Sequence, residues 1–414
     1  MTVATSQSSA NSPPLPSPHT YPRYIWQHKG WPALTVDSSA LHGALLQARL
    51  EQGRLLGQLE AIGLEQMREV SRDLWVQDTL ATAAIEGVRL DVSSVRSSVA
   101  QRMGLSQGGA RDRDVEGLVE LLDDASGNYQ SPLTHDRLYR WQASLFAGSM
   151  VDGLAGIRRL AVGRYRTHAD AMQIVSGIQG RERVHYEAPA SSAVPREMSA
   201  FLAWFEAPRL TSTNLSGSQP RMGGLVRAAM AHVWFESIHP FEDGNGRVGR
   251  AIADLALAQD VGAAVRVFGL SRQLLESRRA YYDALNQAQR GGLDVTPWVL
   301  WFVQGFTAGC VRSQQVVRVA IQKANYWQRA NTNSINLRQR KVLLRLLEAG
   351  DGGFLGGMTT DKYSKITAIS KPTATRDLTQ LLGWNLLLAT GVGKATRYAV
   401  NVEGWNKSGA SLDL

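Results

Sequence analysis

The sequence predicts a mainly α-helical protein with one β-hairpin and a smaller domain at its C-terminal end. Apolar residues recur at three- and four-residue steps over most of the chain, which is the spacing of one helix face. Strand-like alternation is confined to residues 163–189, where two short runs flank a glycine-containing turn. After about residue 330, three short helical patterns precede two strand patterns, and this order predicts a separate domain.

Length and composition place the chain among ordinary globular proteins. Its 414 residues suffice for two or three domains, each with its own core. No stretch reaches the roughly 18 apolar residues of a membrane span, and residues 1–20 lack the basic and apolar regions of a signal peptide. Cys310 is the single cysteine, which excludes an internal disulfide and a multi-cysteine metal site and fits a small core residue. We therefore expect a cytoplasmic protein with no membrane contact.

The net charge of +9 is concentrated near the C-terminal end. Residues 311–414 hold fifteen Lys and Arg against six Asp and Glu, a difference of +9. The other 30 of the 45 basic residues and 30 of the 36 acidic residues lie before residue 311 and balance each other. Bulk positive charge, which is typical of nucleic-acid contacts, is therefore available only to the C-terminal part.

The N-terminal part divides into a lead and a helical domain. Residues 1–22 are rich in Ser and Pro and poor in large apolar side chains, so we expect them to be disordered. Residues 23–105 are predicted to form an N-terminal helical domain. Within it, Gly87 is suited to end a helix, and Asp91 or Ser93 to cap the next one.

Residues 106–330 are predicted to form the central domain. Its first helices include one with Thr134 as the expected cap. The hairpin follows, with its strands joined by residues 177–180. Because a two-stranded hairpin is marginal alone, it must lie on another surface.

Residues 331–414 are predicted to form a winged helix-turn-helix domain. Ser370 is the expected cap of its third helix, on which the candidate DNA-facing residues are Lys371, Thr373, Thr375 and Arg376. Winged domains also dock proteins or dimerise, so DNA and protein both stay open as partners of 331–414. The string GVGKAT from Gly391 lacks the spacing of a phosphate-binding P-loop and is interpreted as the turn between the two strands.

The most informative stretch is HPFEDGNGRVGR at residues 239–250. An amphipathic helical pattern leads into it and must end at His239, because a residue followed by proline is pushed out of the α region. Gly244 and Gly246 allow backbone N–H groups to converge at the start of the next helix, which favours an anion such as phosphate. Arg247 and Arg250 share one face of that helix and can bind further phosphate oxygens. The stretch therefore predicts a polyphosphate site.

The same stretch carries the groups that a transfer reaction needs. Asp243 would repel phosphate unless a cation lay between them, and one carboxylate plus substrate phosphates is a common way to hold Mg²⁺. His239 suits removal of a proton from an attacking hydroxyl, whereas Phe241 is expected to anchor the loop in the core. The predicted chemistry is transfer from a Mg²⁺-bound nucleotide to a hydroxyl. The alternative is a plain helix–loop–helix turn, which would not require all of these residues together.

Residues 239–250 match the pattern HPFx[D/E]GNGRxxR without a mismatch, and here the chain resembles the Fic family. The resemblance implies an all-helical Fic core that transfers AMP from ATP, with Mg²⁺, to a Ser, Thr or Tyr hydroxyl of a target protein. It implies His239 as the base and Asp243 as the Mg²⁺ ligand. The ATP contacts that it implies within the motif are Asp243, Gly244, Asn245, Gly246, Arg247, Val248, Gly249 and Arg250.

The hairpin at Gln173 to Gly177 resembles the flap of the family. Such a flap would align a target segment by strand addition and cover the nucleotide. The implied ATP contacts are Val175, Ser176 and Gly177.

Two other stretches are similar to the family. Tyr281 and Tyr282 stand where aromatic residues often lie beside adenine, and Gln289 stands where we would expect an Asn. The segment YIWQHKGWP, residues 24–32, and the helices after it resemble an N-terminal domain fused to many bacterial Fic proteins.

The string TAAIEG at residues 82–87 resembles the inhibitory [S/T]xxxE[G/N] motif of the family. Thr82 and Glu86 are four residues apart and share a helix face. The resemblance implies that Glu86 pairs with Arg250 and takes the place of the ATP γ-phosphate. Taken alone, such a string is more often an ordinary helix end.

Alternatives from other functional classes stay open. A DNA-binding regulator could use a Fic-like part as a nucleotide sensor without turnover. An enzyme of the same fold could transfer phosphate or phosphocholine instead of AMP, or could remove AMP. A homodimer is a further possibility that the sequence does not decide.

Overall fold

The computed structural model describes residues 22–62, 64–105, 112–147, 161–176, 183–207, 223–264 and 266–405, and these residues are mostly helical. The mainly α-helical class predicted from the sequence is confirmed. Almost all of the predicted lead at 1–22, and Gly177 of the predicted flap, lie outside the described residues. In the described ranges, every helix is too short or too polar to cross a membrane.

The helices and strands run in this order. The first seven helices are α1 (Ser38–Ala61), α2 (Leu64–Ile85), α3 (Val92–Arg102), α4 (Arg113–Gly127), α5 (His135–Ser144), α6 (Val194–Phe205) and α7 (Gly224–Ile238). They are followed by α8 (Asn245–Val261), α9 (Leu270–Glu276), α10 (Arg278–Arg290), α11 (Thr296–Ala330), α12 (Leu337–Glu348), α13 (Thr360–Thr367) and α14 (Lys371–Gly383). The strands are β1 (Gln173–Ser176), β2 (Arg183–Glu187), β3 (Leu387–Thr390) and β4 (Arg397–Val400). Cys310 of α11 is fully buried, as expected of a core residue.

The chain divides into two compact units, each built from separate stretches of sequence. The first unit contains Met1–His42, Gln130–Asp260 and Ser277–Phe302. The second unit contains Gly43–Tyr129, Val261–Glu276 and Val303–Leu414. The HPFEDGNGRVGR motif and the β1–β2 hairpin therefore belong to the first unit, together with the aromatic segment at 24–32.

Helix ends lie at residues that the sequence marks as caps. The Asp91 carboxylate accepts a hydrogen bond from the Ser94 N–H at 2.8 Å, where α3 begins. The Thr134 hydroxyl accepts one from the Arg137 N–H at 3.2 Å, where α5 begins. Gly87 has a φ of 79°, a conformation that favours glycine, just after the end of α2.

The β1–β2 hairpin is shorter than the alternating pattern suggests. Ile174 lies opposite Tyr186, and the pairing shifts by one residue directly after Ile174. The hairpin packs against the segment near residue 24, where the Tyr24 and Tyr186 rings meet edge to face at 5.1 Å. The Trp26 indole N–H donates to the Glu187 carbonyl at 2.8 Å. This segment supplies the surface that a small hairpin needs.

Helix α7 is buried along its whole length, with Arg227 as its one partly exposed residue. The amphipathic pattern expected for this helix is wrong, because other helices of the first unit cover its remaining faces. Helices α6 and α10 both contact it. Trp298 of α11 donates its indole N–H to the Ala229 carbonyl at 2.7 Å. The helix that leads into the motif is therefore a central core element.

The C-terminal part of the second unit has the predicted order of three helices and two strands. The Ser370 hydroxyl accepts a hydrogen bond from the Thr373 N–H at 3.5 Å and caps α14, as expected. Helix α12, helix α14 and strand β4 share one apolar core with the end of α11, and its members include Tyr326, Val342, Leu378 and Val400. The assignment of this part as a winged helix-turn-helix domain stays a prediction.

Candidate active site

The site is built on the end of α7, where His239 leaves the helix. His239 has φ 50° and ψ 60°, and its N–H still donates to the Phe235 carbonyl at 2.9 Å. A left-handed conformation is uncommon for a residue with a side chain and must be held by its surroundings. Pro240 disfavours the right-handed helical region at this position, so α7 ends here.

The last carbonyl groups of α7 are capped by side chains from distant parts of the sequence. The Gln289 amide donates to the Glu236 carbonyl at 3.0 Å, and the Tyr186 hydroxyl donates to the Ser237 carbonyl at 2.7 Å. The last carbonyl groups of a helix have no N–H donor within the helix, so they need other donors when they are buried. The turn after α7 is therefore fixed from outside the helix.

Arg166 holds the next two carbonyls and the chain beyond them. Its guanidinium donates to the Ile238 carbonyl at 3.3 Å and to the His239 carbonyl at 2.9 Å. Its backbone N–H donates to the Pro240 carbonyl at 2.9 Å. Burial lowers the pKa of the Arg166 guanidinium to about 10, which leaves it charged at neutral pH. A buried cation thus clamps the left-handed turn at His239.

The loop between α7 and α8 is closed by Asn245. Its side-chain oxygen accepts from the Phe241 N–H at 2.9 Å, and its side-chain N–H donates to the Phe241 carbonyl at 2.8 Å. Phe241 itself is fully buried, with its ring 5.4 Å from that of Tyr165. The structure places Phe241 in the core, as expected. Asn245, whose implied role is in the anion hole, has its side chain engaged with the loop.

Gly244 sits directly before α8 with a φ of 89°. A Cβ atom at this position would lie 3.2 Å from Leu145 and 3.3 Å from Phe146, so the site is tight as well as left-handed. Helix α8 begins at Asn245, and Gly246 lies in its first turn. The first N–H groups of a helix have no acceptor within it, so this end of α8 can bind an anion.

Two arginines and one acidic residue border this helix start. The Arg247 guanidinium lies 5.3 Å from the centre of the Phe146 ring, and its Nη2 is 3.6 Å from Oδ1 of Asp243. The Asp243 side chain is 57% exposed, whereas Arg250 is 1% exposed. Neither guanidinium points into bulk solvent, since the Arg247 side chain is only 12% exposed.

The Asp243 carboxylate is suited to bind a metal ion that substrate phosphates also coordinate. Among the residues that the structure describes, no three His, Cys, Asp or Glu side chains cluster as a metal site. Asp243 offers a single accessible carboxylate at the mouth of the anion site. Mg²⁺ keeps several waters and is often held by one or two carboxylates plus substrate phosphates, so this arrangement fits a Mg²⁺–nucleotide.

Comparisons with known protein families agree with this geometry. Residues 132–257 match the model of the Fic/DOC family, and they contain α7, the loop, most of α8 and the β1–β2 hairpin. This part of the chain is similar to the Fic/DOC family. Residues 24–105 match a second model, described as Domain of unknown function (DUF4172). That match covers the stretch where we predict an N-terminal domain.

Curated relatives of this chain carry adenylyltransferase names. A probable protein adenylyltransferase of Aquifex aeolicus is 36% identical over 85 residues, which are 20% of this chain and 24% of that protein. The protein adenylyltransferase Fic of Nematostella vectensis is 24% identical over 238 residues, 56% of this chain and 47% of that protein. The chain thus spans less than half the length of either relative.

Solved structures with Fic domains resemble the chain more distantly. A Fic family protein from Desulfovibrio desulfuricans is 20% identical, with a TM-score of 0.48, covering 89% of this chain and 98% of that one. A Fic domain containing signaling protein from Bacteroides thetaiotaomicron is 17% identical, with a TM-score of 0.45 over 70% of this chain and all of that one.

The other sequence-predicted nucleotide contacts of the Fic domain lie in different surroundings. Tyr281 is 1% exposed, and its hydroxyl lies 2.8 Å from Nε2 of His232. Tyr282 is 40% exposed, and Gln289 is buried as a cap of α7. Val175 and Ser176 lie on β1, and Gly177 lies outside the described residues.

The two residues of the predicted inhibitory motif belong to the second unit. Thr82 is fully buried in α2, and Glu86 is exposed in the turn after that helix. The Fic motif itself lies in the first unit, so a pairing of Glu86 with Arg250 stays a prediction.

Sequence reasoning missed the residues that hold the end of α7. Arg166 and Tyr186 lie in the strand-like region and are separated from His239 by more than 50 residues, so no local pattern marks them. Glu236 could have been found, because it lies three residues before His239 on a helix and shares its face. Its Oε2 is 3.7 Å from Nδ1 of His239.

Proposed function

We propose that this chain is a protein adenylyltransferase, which transfers AMP from Mg²⁺-bound ATP to a hydroxyl side chain of a target protein. The observation that carries the proposal is the convergence of His239, the start of α8 and Arg247 on one short loop. The imidazole is partly exposed, with its side chain 14% accessible, so it is neither enclosed in hydrocarbon nor far from the anion site. The adenylyltransferase names of the relatives support the same reaction.

Each group has one task in this reaction. His239 takes the proton of the target hydroxyl, whose oxygen then attacks the α-phosphorus of ATP. The bond between the α-phosphorus and its bridging oxygen breaks, and pyrophosphate leaves. The N–H groups at the start of α8 and the guanidiniums of Arg247 and Arg250 stabilise the phosphate charge. Mg²⁺, held by Asp243 and the phosphates, would add further charge neutralisation.

We also propose that Glu86 restrains this activity by competing with the γ-phosphate of ATP for Arg250. The likeness of TAAIEG to an inhibitory motif supports this regulation, and so does the exposed position of Glu86 just after α2. A carboxylate and a phosphate oxygen are alternative partners for one guanidinium. Binding of one therefore disfavours binding of the other.

The test is intact-mass analysis after incubation with ATP and MgCl₂. Wild type is compared with Glu86→Gly, with Glu86→Gly/His239→Ala, and with Glu86→Gly/His42→Ala, which changes an exposed histidine outside the motif. We expect self-modification by one AMP moiety, more in Glu86→Gly than in wild type. The His239 variant should lose it and the His42 variant should keep it. An added mass of phosphate or phosphocholine with the matching donor, or no added mass in any variant, would reject the proposed reaction.

A second function, DNA binding by residues 331–405, is favoured by the surface of α14. Lys371, Thr375 and Arg376 are exposed on this helix, while Ala374 and Leu378 face the core. We expect a salt-dependent gel shift with random duplex DNA that weakens in Lys371→Ala/Arg376→Ala. If the shift is the same in this variant, α14 is not the DNA-contacting element.

A further inference from the structure

The carboxyl group of Glu236 lies beside the imidazole of His239 at the end of α7. Its Oε2 is 3.7 Å from the Nδ1 atom of His239. The Glu236 side chain is 5% exposed, so the carboxyl group is almost enclosed. It faces one ring nitrogen of His239 and leaves Nε2 as the nitrogen available to a target hydroxyl.

Helix α8 makes room for this carboxyl group at Gly249. A Cβ atom at position 249 would lie 2.4 Å from Oε1 of Glu236 and 3.3 Å from Nδ1 of His232. Any residue larger than glycine would therefore displace the carboxyl group or the helix. The resemblance implies an ATP contact for Gly249, and the close approach adds a packing role.

The backbone at Glu236 is fixed as well. Its carbonyl accepts a hydrogen bond from the buried Gln289 amide at 3.0 Å. The next carbonyl, of Ser237, accepts one from Tyr186. Gly249 of α8 thus lies close to the carboxyl group, and the caps of α7 hold the backbone that carries it.

A second imidazole, that of His232, also lies close to Gly249 of α8. His232 is fully buried, its Nε2 is 2.8 Å from the Tyr281 hydroxyl, and its ring stacks on Trp298 at 5.7 Å. The ring of His232 is therefore oriented by α10 and α11, whereas that of His239 has Glu236 beside it. Of these two histidines, only His239 is partly exposed.

We propose that Glu236 is a positioning residue for His239. Its carboxylate accepts a hydrogen bond from the Nδ1–H of the neutral imidazole, so that Nε2 is unprotonated and ready to take the proton of the target hydroxyl. The distance of 3.7 Å shortens by about 0.5–1 Å when substrates bind, as catalytic hydrogen bonds often do. The same carboxylate then stabilises the imidazolium that forms. This inference rests on the proposed adenylyl transfer.

The direct test is the tautomer of His239, measured by nitrogen NMR. Protein labelled with ¹⁵N-histidine gives ring-nitrogen signals that separate N–H from bare nitrogen, and His239→Ala assigns them. We expect His239 of wild type to carry its proton on Nδ1 when neutral, and Glu236→Gln to lose this preference. Glu197→Gln is the matched control, because Glu197 is a buried glutamate of the same unit that accepts from the Trp31 indole. It should leave the His239 signals unchanged.

The kinetic test separates positioning from folding. In a Glu86→Gly background, Glu236→Gln should lower kcat for AMP transfer roughly 10- to 100-fold, with little change in KM for ATP. Glu236→Asp keeps the charge and should recover part of the loss. Gly249→Ala, which displaces the carboxyl group, should resemble Glu236→Gln. Thermal melts identify any variant that fails to fold.

The outcomes distinguish this inference from the proposed function. A wild-type His239 protonated on Nε2, or a tautomer that Glu236→Gln does not alter, would overturn the role of Glu236. Equal losses in Glu236→Gln and Glu236→Asp without a tautomer change would do the same. If no variant transfers AMP, the proposed function fails, and the NMR comparison still decides whether Glu236 orients the ring.

Discussion

The Tyr186 hydroxyl donates a hydrogen bond to the Ser237 carbonyl at 2.7 Å, and this bond joins strand β2 to the helix end that presents His239. Tyr186 is 1% exposed, and burial raises the pKa of its hydroxyl, which therefore stays a neutral donor. The base of the hairpin and the turn at His239 are thus mechanically connected.

Loss of this bond should weaken the first unit. Tyr186→Phe leaves a buried carbonyl without its donor, so we expect a loss of about 1–3 kcal/mol in the free energy of unfolding. Urea denaturation followed by tryptophan fluorescence measures it. Tyr282→Phe removes the same group from an exposed ring, and we expect a change within about 0.5 kcal/mol. Equal effects of both variants would contradict the importance of the Ser237 contact.

The side chain of Asn245 should be required for the loop rather than for ATP alone. Asn245→Ala removes an acceptor and a donor from the Phe241 backbone, both in a buried place. We expect a loss of about 2–4 kcal/mol in unfolding free energy and no AMP transfer. Asn331→Ala, at an exposed asparagine, serves as the control. Full stability of Asn245→Ala would show that the loop does not depend on this clamp.

Asp243 should set the metal requirement of AMP transfer. Asp243→Asn removes the accessible carboxylate at the start of α8 and should raise the MgCl₂ concentration for half-maximal transfer at least about tenfold. Chelation of Mg²⁺ with EDTA should abolish transfer by every variant. Glu242→Gln changes the neighbouring acid, which accepts from the Ala161 N–H, and should leave the Mg²⁺ dependence unchanged. An unaltered dependence in Asp243→Asn would remove this residue from the metal site.

Competition between Glu86 and the γ-phosphate predicts a nucleotide-specific effect. Glu86→Gln removes the charge, so ATP should bind about tenfold more tightly, whereas ADP, which lacks the γ-phosphate, should bind as in wild type. Isothermal titration calorimetry measures both affinities. Glu69→Gln, at an exposed glutamate of α2, the helix that precedes Glu86, is the control. A parallel gain for ADP would place the effect of Glu86 elsewhere.

Much of the site could be predicted from local patterns, because many of its residues lie within the motif at residues 239–250. The end of α7 before Pro240, the helix start after Gly244 and the burial of Phe241 each follow from neighbouring residues. The caps at Asp91 and Thr134 could also be predicted, because each contacts a residue only three positions further along the chain.

Long-range contacts were beyond a single sequence. Arg166, Tyr186 and Gln289 meet at the end of α7 only because the fold brings three separate segments there, and their own neighbours carry no signal of it. The burial of α7 on every face was also missed. A helix rich in alanine and mid-sized apolar residues looks amphipathic when it also carries a few polar side chains, yet His232 and Glu236 are both buried in the core.

The burial of α7 connects the proposed activity to global folding. A base on a peripheral loop could unfold locally and refold while the rest of the molecule stayed folded. Here the imidazole is attached to a helix that is buried along its whole length, so we expect the proposed AMP transfer to be lost at the temperature where the protein melts cooperatively.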